Sequence, residues 1–191
     1  MASFDEDDLV RRLGRAPARA RVAFACACSS RMLSPYRQAL SEVGGDRSDL
    51  LSAALGHLWA YALGGPSLDW STWAERLIEQ IPPENEMAGS ASKVLDDALA
   101  AAAYAARAAI ATDAADAARS ARRLYDAVDA YAQRSLTFTE FTPEIERALS
   151  QHPAVQQELE RQARDLAELE AEEAAAVVFA LRERARNEAA F

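Results

Sequence analysis

Apolar residues recur along the chain at three- and four-residue steps, in runs separated by Gly, Pro and Ser, and this spacing predicts helices throughout. The first covers about Asp5–Arg15, with acids in its opening turn and arginines in its last, which suits the helix dipole. A second, about Ala18–Leu33, is apolar nearly all round over Val22–Ala27 and belongs at the centre of the molecule. Ser34–Pro35 breaks it, and a short piece follows over Tyr36–Val43. Asp46 then caps a helix over Ser48–Leu63 with a stripe of Leu51, Leu55, Leu58 and Ala62. Asp69 or Ser71 opens the next, which reaches Ile81. Beyond the polar segment Glu84–Ser90, the Ala-rich stretch Ser92–Ala111 turns Val94, Leu95, Leu99, Tyr104 and Ile110 to a core and forms a second central helix. Thr112 and Asp113 begin a helix to about Leu136, Leu136–Thr142 is an extended loop, and Pro143 opens a short helix. Pro153 opens a long one, to Ala189. At ~1.5 Å per residue it would be about 55 Å long, more than a compact domain of this size spans, so it bends, protrudes or supports a dimer. The expected fold class is all-α. Residues 1–191 form a single domain, a compact bundle of about seven to nine helices with a long C-terminal helix.

Composition strengthens the helical reading: 45 of the 191 residues are alanine, the best helix former, and β-branched and aromatic residues are scarce. The net charge of −9 and pI of ≈ 4.8 argue against nucleic acid as the partner. Charge is uneven, because residues 11–47 carry eight arginines against Glu42 and Asp46 while residues 48–191 sum to −11. Arg11, Arg12, Arg15, Arg19 and Arg21 could form a basic arm, but Asp7–Arg11 and Asp8–Arg12 are spaced to pair on one helix face. The acidic start has no apolar leader and the most apolar window is broken by Asp97 and Arg107, so a cytoplasmic location with no membrane contact is expected. Cys26 and Cys28 point to different sides of a helix and read as small buried apolar residues.

Little catalytic chemistry is on offer. Lys93 is the sole lysine, and Gly44–Gly45 leads into Asp46, which repels phosphate. His57 and His152 follow Ala54 and Leu149 at three residues, so the paired Glu-x-x-His ligands of a dimetal bundle are missing. Glu170 and Glu173 supply half of the acidic pattern of an all-α nucleotide pyrophosphatase, and a metal-assisted hydrolase is the competing function class. His57 reads as a boundary residue and His152, just before Pro153, as a cap or surface residue. Trp59, Trp70 and Trp73 read as core and corner packing.

The long helix carries a seam of Leu159, Ala163, Leu166, Ala174, Val177 and Leu181, with Glu170 projecting into its middle. A carboxylate buried there needs a cation, donors or a proton; a bend in the helix would leave it wet. Asp165, Glu168 and Glu172 fall opposite the seam within about 60° of one another and form a candidate partner-binding stripe facing water.

Several segments together resemble the YjaG-like bacterial family known as domain of unknown function 416. They are Val22-Ala-Phe24 with Arg31-Met32 and Tyr36, Leu58-Trp59, Glu79-Gln-Ile81-Pro82, and His152-Pro153-Ala154-Val155 with Glu158. Ser30 stands where that family commonly has a glutamate. The likeness covers about residues 20–175 and implies an all-helical cytosolic protein with no activity to transfer. The leading expectation is a non-enzymatic helical binding protein with no cofactor or metal. Its most concrete version is an acidic immunity- or antitoxin-type inhibitor that masks a basic protein partner; a helical scaffold is a further alternative.

Overall fold

The computed structural model describes residues 3–43, 49–81, 89–111, 114–136, 140, 142–171 and 175–191. Ten helices lie among the described residues, and their starts follow local chemistry. Asp5 caps α1 (Glu6–Leu13), its carboxylate accepting the Asp8 N–H at 2.9 Å. α2 (Ala18–Arg31) ends at Met32, whose N–H folds back onto the Ser29 and Ser30 carbonyls. α3 (Leu33–Val43) follows at once. The break expected at Ser34–Pro35 thus falls two residues earlier, and Pro35 sits in the first turn of α3, where a missing N–H costs nothing. Asp49 caps α4 (Leu50–Ala62) by accepting from the Ser52 N–H at 3.0 Å; Asp46, the expected cap, lies outside the described residues. Asp69 caps α5 (Trp70–Glu79). α6 (Ser90–Ala108) and α7 (Ala115–Ser135) precede α8 (Pro143–Ser150), which has Thr142 as cap and proline in its first turn. His152 caps α9 (Pro153–Ala171), its Nδ1 accepting the Ala154 N–H at 3.2 Å.

The count exceeds the expected seven to nine because the long C-terminal helix is two helices. α9 stops at Ala171, and α10 (Ala175–Asn187) returns to pack on α2. Val178, Leu181 and Ala185 of α10 are buried, so the apolar stretch that looked too long for the domain closes the bundle.

The two central helices are as expected. α2 touches α4, α6, α7, α9 and α10, while α6 touches α2, α3, α4, α5 and α7. Alanine makes the crowding around α6 possible. Ala98, Ala101, Ala102, Ala105 and Ala106 are fully buried, and Ala100, Ala103 and Ala108 are nearly so. Between α2 and α7, Ser29 and Ser120 both donate to the Ala25 carbonyl, at 3.0 and 3.1 Å, so two buried hydroxyls are satisfied where the backbones run close. Cys26 and Cys28 are free and fully buried, and burial pushes both thiols well above their ordinary range. No helix among the described residues is long and apolar enough to cross a membrane.

Candidate functional site

The acidic stripe expected on the long helix does not exist as an exposed surface. Asp165 is completely buried, Glu168 is partly buried, and Glu172 lies outside the described residues. The buried face of α9 is Val155, Glu158, Leu159, Gln162, Asp165, Leu166 and Leu169, while Ala163, expected in the seam, is exposed. The helix is therefore rotated toward its polar side, and the cause is Arg31 of α2. That guanidinium, itself fully buried, donates to Asp165 Oδ2 at 2.7 Å and to Glu158 Oε1 at 2.8 Å. Gln162 Nε2 donates to the same Glu158 oxygen at 3.0 Å. A buried cation supplies what makes two buried carboxylates tolerable.

The network extends to the C-terminal segment. Arg184 of α10 donates to Asp165 Oδ1 at 3.1 Å and Glu168 Oε2 at 2.6 Å, and Arg164 donates to Glu188 at 2.9 Å. Two bonds to backbone carbonyls finish the clasp: the Ala190 N–H donates to the Arg31 carbonyl at 2.9 Å, and the Arg161 guanidinium donates to the Ala189 carbonyl at 2.9 Å. Burial pushes the Glu158 carboxyl up from its ordinary value against the pull of Arg31. Burial also works against the Arg31 charge, and the facing carboxylates more than offset it, so the guanidinium stays protonated. The cluster fixes α9 and α10 on α2.

Glu170 is exposed and leaves the seam altogether. Arg12 of α1 grips it with two bonds, Nε to Oε1 at 2.9 Å and Nη2 to Oε2 at 2.7 Å, and the bond from Arg12 holds its carboxyl below the usual range. A carboxyl lowered in this way stabilises the fold above the ordinary glutamate range, and loses that contribution as pH falls through its lowered value. The pair is well hydrated, so Glu170→Gln is expected to cost less than about 1 kcal/mol in urea unfolding at neutral pH. A loss of several kcal/mol would restore the buried reading of this carboxylate. Glu173, its suggested metal-binding companion, lies outside the described residues, and among those described no group of three His, Cys, Asp or Glu side chains is placed to hold a metal ion.

Four of the five arginines of the expected basic arm bind their own chain, and Arg15 is exposed. Arg11 pairs with Asp8 rather than Asp7, Arg12 with Glu170 and, at 3.9 Å, with Asp8 as expected, Arg19 with the Tyr61 carbonyl at 3.0 Å and Arg21 with the Ala16 carbonyl at 3.0 Å. His57 is exposed, its ring 5.0 Å from that of Trp73. Trp59 and Trp70 are buried, as packing residues should be.

Two of the concave surfaces among the described residues combine charged and apolar walls in a way that bears on binding. One is a groove of ≈ 460 Å³ along α5 and the end of α6, where Ile78 and Ile110 are flanked by Glu75, Glu79 and Arg107. The other is a cleft of ≈ 660 Å³ where α3, α4 and the end of α10 meet above Arg31, with Arg37, Arg186 and Trp59 in its walls.

A family model described as "Protein of unknown function (DUF416)" matches residues 8–190, wider than the stretch over which the sequence motifs resemble that family. The crystal structure of a DUF416 family protein from Shewanella baltica OS155 superposes on this chain with a TM-score of 0.81, at 19% identity, covering 98% of this chain and 95% of that one. At that identity the likeness shows the fold alone. No curated protein matches the chain.

Proposed function

From the premise that the chain belongs to the DUF416 family of proteins of unknown function, we propose that it is a non-enzymatic, cytoplasmic binding protein that docks a basic protein partner on the α5–α6 groove. The supporting observation is the pair of isoleucines in that groove. Ile78 and Ile110 are 47% and 57% exposed, in a molecule that encloses most of its large aliphatic side chains. Burying an exposed isoleucine is worth about 1.5–3 kcal/mol, so covering the exposed half of each gives a partner about half of that per residue, an apolar anchor. Glu75 and Glu79 at its edge, with the net charge of −9, would steer a cationic surface toward it. An immunity- or antitoxin-type inhibitor is the most concrete form of this reading. The hydrolase alternative draws no support from Glu170, whose carboxylate is occupied by Arg12.

The test is capture from native lysate by the full chain, compared with Ile78→Gln/Ile110→Gln and with Glu75→Lys/Glu79→Lys. These side chains are at the surface, so the helical circular dichroism should not change. A genuine partner should be lost from the double glutamine variant. Its association with the double lysine variant should slow, as it should for the wild type at high salt, where exposed charges are screened. A partner that both variants hold as tightly as the wild type does would exclude this groove.

A further inference from the structure

The cleft above Arg31 is unrelated to the α5–α6 groove, and three independent features mark it. The first is Gly56. Glycine inside a helix costs about 1 kcal/mol relative to alanine. This chain fills its helices with alanine, and among the described residues Gly56 is the only glycine within one. Neither φ nor packing demands it: a Cβ built there meets no atom within 4 Å. The open space it faces is the cleft, whose wall it forms.

Ser30 is the second feature. It lines the cleft and is only 7% exposed, and its Oγ accepts the Trp59 indole N–H at 2.9 Å. Among the described residues no acceptor takes the hydroxyl hydrogen, which leaves one buried donor unspent at the cleft.

Third, two half-exposed guanidiniums stand in the walls of this acidic protein, Arg37 on α3 and Arg186 on α10, with side chains 57% and 51% accessible. Arg37 uses Nε and Nη2 on Asp49 and Ser52, and Arg186 meets Glu183 at 3.5 Å, so both keep donors to spare. Leu33, Leu55 and Trp59 give the same walls an apolar part.

We infer that this cleft binds a small organic monocarboxylate, its head group on Arg37, Arg186 and the Ser30 hydroxyl and its apolar body in the space above Gly56. Guanidinium forks match a planar carboxylate, and the volume of ≈ 660 Å³ suits a metabolite-sized ligand. A single negative charge fits better than a phosphate dianion, because Asp49, Glu183 and the wall residue Glu188, itself held by Arg164, already offset much of the cationic surplus.

The experiment is a ¹H–¹⁵N NMR titration of the full chain with 4-phenylbutyrate, its neutral amide, phenyl phosphate and inorganic phosphate. The carboxylate should move the Trp59 indole resonance and the Ser52, Gly56 and Asn187 amides saturably, with Kd below about 1 mM, and the amide should bind about tenfold more weakly or worse. Gly56→Leu should fill the cleft and abolish binding while melting at or above the wild-type temperature. Arg37→Gln/Arg186→Gln, altered only at the surface, should weaken the carboxylate about tenfold and leave the amide unchanged. No saturable shift, equal binding of the amide, tighter binding of phenyl phosphate, or undiminished binding by the folded Gly56→Leu variant would each overturn the assignment.

Discussion

Replacing Arg31 by methionine should cost the fold about 3–5 kcal/mol, because it takes from the buried Glu158 its one close cation and from the buried Asp165 the nearest of its three. For a chain of this length that corresponds to a fall of about 10 °C in melting temperature. The damage should be greatest where the clasp is, so hydrogen exchange at α10 and the Ala190 amide should quicken before α6 is affected. Its pH dependence is a second signature. The raised Glu158 carboxyl contributes stability that is complete below the ordinary glutamate range and is lost as pH rises through the raised value. Without Arg31 the desolvation is opposed only by the Gln162 amide and the more distant Arg161, so the deficit of the variant should be larger at about pH 8 than at about pH 5. Adding Glu158→Leu should recover part of the loss, since Asp165 keeps Arg184 and Arg164 as partners. A variant that melts with the wild type at both pH values would mean that the network is ornamental.

This same network marks where sequence reasoning stops. Apolar spacing located both central helices, and the helix starts near Asp5 and at Asp69, one of two alternatives with Ser71, were legible because a helix start is a local matter of one side chain and one N–H. The orientation of α9 was not local. Its polar residues Glu158, Gln162 and Asp165 share a face with Val155, Leu159, Leu166 and Leu169 only because a cation 134 residues away in sequence, Arg31, meets Asp165. A reading that sends every acid to water must turn such a helix the wrong way. The division between α9 and α10 was hidden for a related reason: alanine and glutamate continue across it with good helix propensity, and docking of Val178, Leu181 and Ala185 on α2 decides the outcome. The cleft is built from several helices and could not be assembled from spacing. One sign of it was visible, a glycine inside an alanine-rich helix at Gly56.

Ala102→Leu should be among the most damaging single aliphatic substitutions the chain can take. Ala102 is fully buried in α6 beside the equally buried Ala98, Ala101, Ala105 and Ala106, so the added carbons point into a filled interior. Overpacking in a core costs ~1–3 kcal/mol through displaced backbones and off-rotamer side chains. Here α2, α3, α4, α5 and α7 all lean on the same helix, which puts the expected cost at the upper end, about 3 kcal/mol. The comparison site must be chosen from the structure. Ala185, near the end of the chain, is itself 1% exposed against α2 and is no neutral control. Ala180, on the exposed side of α10, is one. Ala180→Leu should change stability by no more than about 0.5 kcal/mol, as surface substitutions do. Urea unfolding of the two variants beside the wild type measures the contrast: a lower midpoint with an unchanged slope is the expected result for Ala102→Leu. Equal midpoints for the two leucine variants would show that α6 has room to give, and that close approach through alanine does not hold this bundle together.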